Sequence, residues 1–350
     1  MFREKHIRIH NSKNTRMLIV FLTIFSLCCP AIGSANDSNK SKGKIIGTGP
    51  AVLWRAPKDI ASRNLFYGPG GKKDAPHTIF TFLKEDLEGT NPKFDVRDEY
   101  GVKWKVKLGE EARTETVASR LIWAVGYFAN EDYFLPALRV QGMPAHLQRK
   151  RVRKLIFSGG LVPNVRLKRD LKDEKKIGTW QWRDNPFTGT RELNGLRVMM
   201  ALINNWDLKD ANNAIYQEED GKQVWMISDL GTGFGTTGRG RYNWKSKGNL
   251  DSYSRSKFIR KITPEYVDFN IPARPAIVTA VNPKEFISRL HLRWIGKHIP
   301  RADAKWMGQL LAQLSPEQIR DAFRAAGYSP QEVEGFAKVI EQRIGELSEL

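Results

Sequence analysis

The 350-residue chain is 41% hydrophobic and carries 57 Lys and Arg against 38 Asp and Glu, a formal net charge of +19. That apolar content is ample for a large core and excludes disorder as the default state. Both cysteines, Cys28 and Cys29, lie in one N-terminal segment, so the rest of the chain is excluded from thiol catalysis, Cys-ligated metal sites and disulfide frameworks.

The N-terminal segment has the layout of a secretory signal peptide. Arg3, Lys5, Arg8, Lys13 and Arg16 precede an apolar run over residues 17–29, then PAIGSAND. The run is about 13 residues long, short of the roughly 20 that span a bilayer. Gly33 and Ala35 offer small residues for cleavage before Asn36. An uncleaved signal anchor is the alternative. Removal of residues 1–35 takes away five Lys or Arg and one Glu and lowers the charge from +19 to +15. The remainder is still basic and suits acidic partners: nucleotide phosphates, an anionic envelope surface or an acidic protein. Residues 36–50, polar and Gly-containing, read as a linker.

Strands follow. TIFTFL (residues 78–83) is β-rich, KFDVRD (93–98) alternates, and VKWKVKL (102–108) places Lys103, Lys105 and Lys107 on one face with Trp104, Val106 and Leu108 on the other. Turn residues in EGTNP and EYG make this an antiparallel meander. A helix is predicted over residues 111–128, with Val117, Leu121, Ala124 and Val125 in one apolar stripe. DYFLPALRV (132–140) is a further extended piece. The charged stretches LQRKRVRKL (147–155) and RLKRDLKDEKK (166–176) read as solvated surface insertions.

RELNGLRVMMALINNW (191–206) has helical periodicity, and NAIYQ and QVWMIS joined across EEDG form a hairpin. INNWDLKDANNAIY (203–216) therefore sits on a helix-to-strand loop. Four helical segments complete the chain, over residues 282–299, 301–314, 315–328 and 329–347; the last two begin with Ser-Pro, a helix-start signal. The two Trp of GTWQWRDNPFTGTREL (178–193) read as loop packing, and the four His outside the leader have no metal-ligand spacing.

Asp and Asn in a helix-to-strand loop commonly serve only as cap and turn. Here DLKDAN (207–212) is followed by a hairpin and, twenty-two residues after Asp207, by SDLGTGFG. That order resembles the catalytic and metal-binding loops of the protein-kinase-like superfamily, in which D-x-x-x-x-N precedes a hairpin and D-[FL]-G. The resemblance implies an α+β, bilobal protein-kinase-like fold, with a small antiparallel-sheet lobe plus a helix over residues 51–140 and a larger, mainly helical lobe over 141–350. It implies Asp207 as catalytic base, Asn212 and Asp229 as metal ligands, and Gly231 as the turn after the metal-binding Asp. The resemblance also implies a strand Lys that holds nucleotide phosphates and pairs with a helix Glu, here Lys107 and Glu115; Lys105 shares the strand face as the alternative, and Glu110 and Glu111 lie too near the strand end.

Phosphoryl transfer needs these types: a carboxylate beside the accepting hydroxyl, oxygen ligands for a hard cation and a Lys against phosphate charge. The implied cofactors are ATP or another nucleotide with Mg²⁺ or Mn²⁺, and the implied acceptor is a protein or small molecule. NWD stands where protein kinases have His-Arg-Asp, no G-x-G-x-x-G separates the first strands, and no Ala-Pro-Glu follows DLG. These departures point to divergent branches such as the HipA, CotH, phosphoinositide-kinase and secreted Golgi-kinase types, the last of which fit a secreted or periplasmic location. A pseudokinase or envelope scaffold is the alternative; nucleic-acid binding is not expected, because the basic residues are dispersed and no recognition module is present.

Overall fold

The alternation read in residues 93–108 is realised as paired strands. The computed structural model describes residues 49–89, 91–149, 154–171, 174–236, 246–272 and 283–350. The expected leader over 1–35 lies outside the described residues, as does the expected linker except Gly49 and Pro50. In chain order come β1 (Ala51–Val52), β2 (Phe80–Asp86), β3 (Lys93–Asp98), β4 (Lys103–Leu108), α1 (Glu111–Ala124), β5 (Asp132–Gln141), β6 (Leu161–Arg169), β7 (Lys175–Gly178) and α2 (Arg191–Leu202). After these come β8 (Asn213–Gln217), β9 (Gln223–Ile227), α3 (Leu250–Ser254), β10 (Ile259–Ile262), β11 (Tyr266–Phe269), α4 (Pro283–His291), β12 (Ile299–Pro300), α5 (Arg301–Leu311), α6 (Pro316–Arg324) and α7 (Pro330–Ser348).

β2, β3 and β4 form the expected antiparallel meander, with Phe94 opposite Val106 and Val96 opposite Trp104. The sheet closes into a five-stranded barrel in the order β2-β3-β4-β6-β5, sealed where Phe80 and Thr81 pair in parallel with Val140 and Gln141. Phe80, Phe94, Val96, Trp104, Val106, Val165 and Leu167 fill its interior. Closure leaves no open sheet edge, since every strand has two neighbours.

β6 overturns one expectation. Residues 166–169 are part of a central barrel strand rather than a solvated insertion: β6 lies between β4 and β5, with Lys107 opposite Arg166 and Tyr133 opposite Leu167. The physical reason is alternation. Val165 and Leu167 are wholly buried in the barrel, while the intervening Arg166 is buried on the opposite face against other charges. Counting charge rather than period hides the strand. Lys175 and Lys176, from the same stretch, belong to β7 and pair with β8.

The second sheet runs β1-β9-β8-β7, and the expected β8–β9 hairpin has Asn213 opposite Ile227 and Gln217 opposite Gln223. A third, three-stranded sheet, β10-β11-β12, stands within the part expected to be mainly helical. The Ser-Pro signals hold: Ser315 and Ser329 each cap a helix through a capping box with Gln318 and Glu332.

α1 is buried almost all round, not along one stripe: Thr114, Glu115, Thr116, Ser119 and Arg120 are buried with Val117 and Leu121. Its apolar side shares one core with Leu196, Met199, Phe234, Phe323 and Phe336, and its polar side faces the barrel. Among the described residues the fold is mixed α and β, with several sheets and seven α-helices. No described helix is long and apolar enough to cross a membrane.

Candidate functional site

The site begins at the cross-strand pair Lys107 and Arg166, whose side chains leave the barrel on the face covered by α1. Lys107 is 4% exposed. Its Nζ lies 2.7 Å from Glu115 Oε2, 3.0 Å from Asp229 Oδ1 and 3.4 Å from Glu111 Oε2. Burial disfavours the ammonium, yet Glu115 and Asp229 outweigh it and raise the Lys107 pKa above its ordinary value. Lys107 therefore stays charged. Lys105 instead points at Asp86, 2.6 Å away, beside a cavity of about 280 Å³ lined in part by Lys168, Lys176 and Tyr216.

Glu111 was set aside on sequence and is part of the cluster. Its first-turn position brings its carboxylate to Lys107, Asn91 and Lys247. It also explains Gly231. That glycine does not use a positive φ; a Cβ there would lie 2.7 Å from Glu111 Cβ. The requirement is close approach of the DLG backbone to α1, not a sharp turn. Thr114 Oγ1 completes the docking by donating to Gly231 O at 2.7 Å.

Asp229 follows the end of β9. Burial pushes its carboxyl up, but the Lys107 ammonium and the Gly231 N–H outweigh burial and hold its pKa below the ordinary carboxylate value. Its backbone N–H and that of Ser228 both donate to Asn212 O, at 3.3 and 2.8 Å, so the two expected metal ligands share one backbone knot. Asn212 Nδ2 donates to Asp207 O at 2.6 Å, which leaves Oδ1 as the atom available to a cation. Oδ1 of Asp229 takes Lys107 and Gly231, leaving Oδ2. A carboxylate oxygen and an amide oxygen are hard ligands and fit Mg²⁺ or Mn²⁺ bound partly through phosphates. No described group of three or more His, Cys, Asp or Glu is placed to hold a metal by itself.

Asp207 stands on the loop after α2. Asn204 ends that helix with φ 52°, the left-handed conformation Asn tolerates. Asn205 Oδ1 then accepts from the Asp207 N–H and from Thr232 Oγ1, tying the loop to the DLG segment. The carboxylate of Asp207 meets Arg289 Nη1 at 2.9 Å and Lys209 Nζ at 3.7 Å. Asp210 and Asn213 shape the loop: Trp182 N donates to Asp210 Oδ1, and Asn213 Nδ2 donates to Trp180 O.

Lys107, Glu115 and Asp229 are thus in mutual reach, with Asn212 bonded to the backbones of both loops. Arg166, Asp132 and Arg289 were missed, and Glu111 was weighed and set aside. A charged residue alternating with Val165 and Leu167 was a signal for Arg166; nothing local marks Arg289, 82 residues from Asp207. Residues 231–235, starting at the Gly of DLG, are buried, because Phe234 inserts among Tyr253, Phe323 and Phe336. Residues 237–245 lie outside the described residues.

No protein-family model matches the chain, and no curated protein matches it. Among solved structures it is similar to the Helicobacter pylori proinflammatory kinase CtkA, at 11% identity and TM-score 0.40, covering 78% of this chain and 97% of that one.

Proposed function

We propose that this chain is a kinase-like phosphotransferase with an α+β, bilobal protein-kinase-like fold, using ATP or a related nucleotide with Mg²⁺ or Mn²⁺ to phosphorylate a protein or small-molecule acceptor. The observation that carries the reading is the buried Lys107 ammonium, 2.7 Å from Glu115 and 3.0 Å from Asp229. Asp229, 122 residues along the chain from Lys107, meets the Lys107–Glu115 pair, which supports the roles that the resemblance implies.

In this reading Lys107, oriented by Glu115, holds nucleotide phosphates. Asn212 Oδ1 and Asp229 Oδ2 hold the cation, which neutralises phosphate charge when bound. The acceptor hydroxyl oxygen forms a bond to the terminal phosphorus as its bond to the leaving diphosphate breaks, and the hydroxyl proton passes to Asp207. The leader-like N-terminus supports a secreted or periplasmic setting, and the basic surplus a contact with an anionic envelope surface.

A second reading, nucleotide binding without transfer, draws on the Arg289 ion pair that already occupies the Asp207 carboxylate. Thermal shift with ATP and Mn²⁺, wild type against Asp229→Ala, tests both. Saturating ligand at about 100 times Kd stabilises the wild type by roughly 2.7 kcal/mol, and the variant much less. Absence of any shift across several nucleotides rejects both readings. A shift with no labelled phosphate on any acceptor, including the chain itself, leaves the second.

A further inference from the structure

Behind Lys107 lies a second buried pair that the catalytic reading does not use. Arg166 Nη2 donates to Glu115 Oε1 at 2.8 Å, and Arg166 Nη1 lies 3.3 Å from Asp132 Oδ1. Lys107, Glu115, Arg166 and Asp132 are 4%, 1%, 3% and 0% exposed. Glu115 gives one carboxylate oxygen to each cation: Oε2 to Lys107, Oε1 to Arg166.

The charges decide what this arrangement does. Two cations and two carboxylates form a neutral quartet, so each buried charge has a counter-charge. Lys107 and Arg166 are directly opposed on adjacent strands and would repel without Glu115 between them. A Lys–Glu pair alone would break when the ammonium moved toward a phosphate, stranding Glu115 in the interior. With Arg166 on its other oxygen, Glu115 keeps a partner. Lys107 is then free to exchange Asp229 for phosphate. Glu111 is neutralised separately by Lys247, which leaves Asp229 as the carboxylate in excess at this cluster.

We propose that Arg166, anchored by Asp132, is a positioning residue that fixes Glu115 and through it Lys107. The proposal rests on the reading of Lys107 as the phosphate-binding lysine. In this reading Arg166 acts through Glu115. Its guanidinium geometry matters, because one fork must serve Glu115 and Asp132 at once. Burial and Glu115 push the Asp132 carboxyl up, and Arg166 opposes them; the Arg166 guanidinium is itself held above its ordinary value by Asp132 and Glu115 against burial.

The test uses the purified full chain and two readouts. The first is affinity for ATP with Mn²⁺, in Arg166→Met, Arg166→Lys, Asp132→Asn and Glu115→Gln. Arg166→Met is expected to weaken binding about tenfold or more, Arg166→Lys to recover part of it, and Arg166→Met to add nothing in the Glu115→Gln background. Wild-type affinity in Arg166→Met, or a full further loss in the Glu115→Gln background, overturns the proposal. The second readout needs no nucleotide: melting temperatures of Arg166→Met, Lys107→Met and the double variant. Coupling through Glu115 makes the double shift differ from the sum of the singles by about 2 °C or more, and Glu115→Gln abolishes the difference. Additive shifts overturn the proposal even if the wild type binds nothing, an outcome that separately rejects the nucleotide reading. Should Arg166→Met not fold, the same cycle is run with Arg166→Lys.

Discussion

Arg289 Nη1 lies 2.9 Å from Asp207 Oδ1 and 2.8 Å from the Trp206 carbonyl oxygen, with its guanidinium carbon 4.8 Å from the Trp206 ring centre. A cation delivered from α4, far along the chain, is thereby stacked on the tryptophan that stands where protein kinases carry Arg, and clamps the neighbouring carboxylate. Trp206 is the platform for that clamp: stacking orients the fork, and the backbone carbonyl fixes its height.

Loss of the clamp should show in turnover rather than in nucleotide affinity. Arg289→Met leaves Lys107, Glu115 and Asp229 untouched, so nucleotide Kd is expected to stay within about twofold while kcat falls about tenfold or more. Steady-state kinetics with any acceptor, or autophosphorylation, measures the split. A raised Kd with unchanged kcat would refute the part of the Arg289 clamp in orienting Asp207.

The two strand-face lysines should separate cleanly. Lys107→Met removes the cation from two buried carboxylates and is expected to cost about 3 kcal/mol of stability and to abolish the nucleotide-induced thermal shift. Lys105→Met removes a half-exposed partner of Asp86, costs about 1 kcal/mol or less, and keeps the shift. The reverse ranking would move the phosphate-binding role to Lys105.

Acid sensitivity follows from carboxylates that burial alone would push up but basic neighbours pull down. Asp86 is lowered from 3.8 to about 2, burial being outweighed by the Lys105 hydrogen bond, the Glu88 N–H and Lys93. A folded pKa below the unfolded one means stability is present above about pH 4 and is lost as pH falls toward 2, by up to roughly 2 kcal/mol for this group. Asp229 is lowered too and adds to the loss in the same direction. Melting temperature should therefore be flat from about pH 5 to 7 and drop below about pH 4. Asp86→Asn should flatten that drop; an unchanged acid limb would rule out Asp86 as a source.

Two substitutions probe the DLG segment. Phe234→Ala empties a wholly buried aromatic site and is expected to cost about 3–5 kcal/mol in urea unfolding. Gly231→Ala places a methyl 2.7 Å from Glu111 Cβ, so the loop must leave α1 and carry Asp229 away from Lys107. Its expected signature is a nucleotide affinity loss that exceeds the effect of Thr114→Val, which removes the hydroxyl contacts to Gly231 O and to Glu111 O but adds no clash. Equal effects would place the cost in those contacts instead.

Much of this was legible from local pattern. Alternation gave β3 and β4, turn residues the β8–β9 hairpin, and Ser-Pro the starts of α6 and α7, because each depends on side-chain period or backbone preference over a few residues. The spacing of Asp207, Asn212 and Asp229 was likewise readable, since one loop, one hairpin and one backbone knot join them. The tertiary structure alone decided which lysine meets Glu115, that Glu111 joins it, that residues 161–169 form the barrel strand between β4 and β5, and that Arg166, Asp132 and Arg289 lie against the candidate site residues. Those are long-range pairings, and sequence period cannot distinguish a charge facing water from a charge facing its counter-ion in the interior.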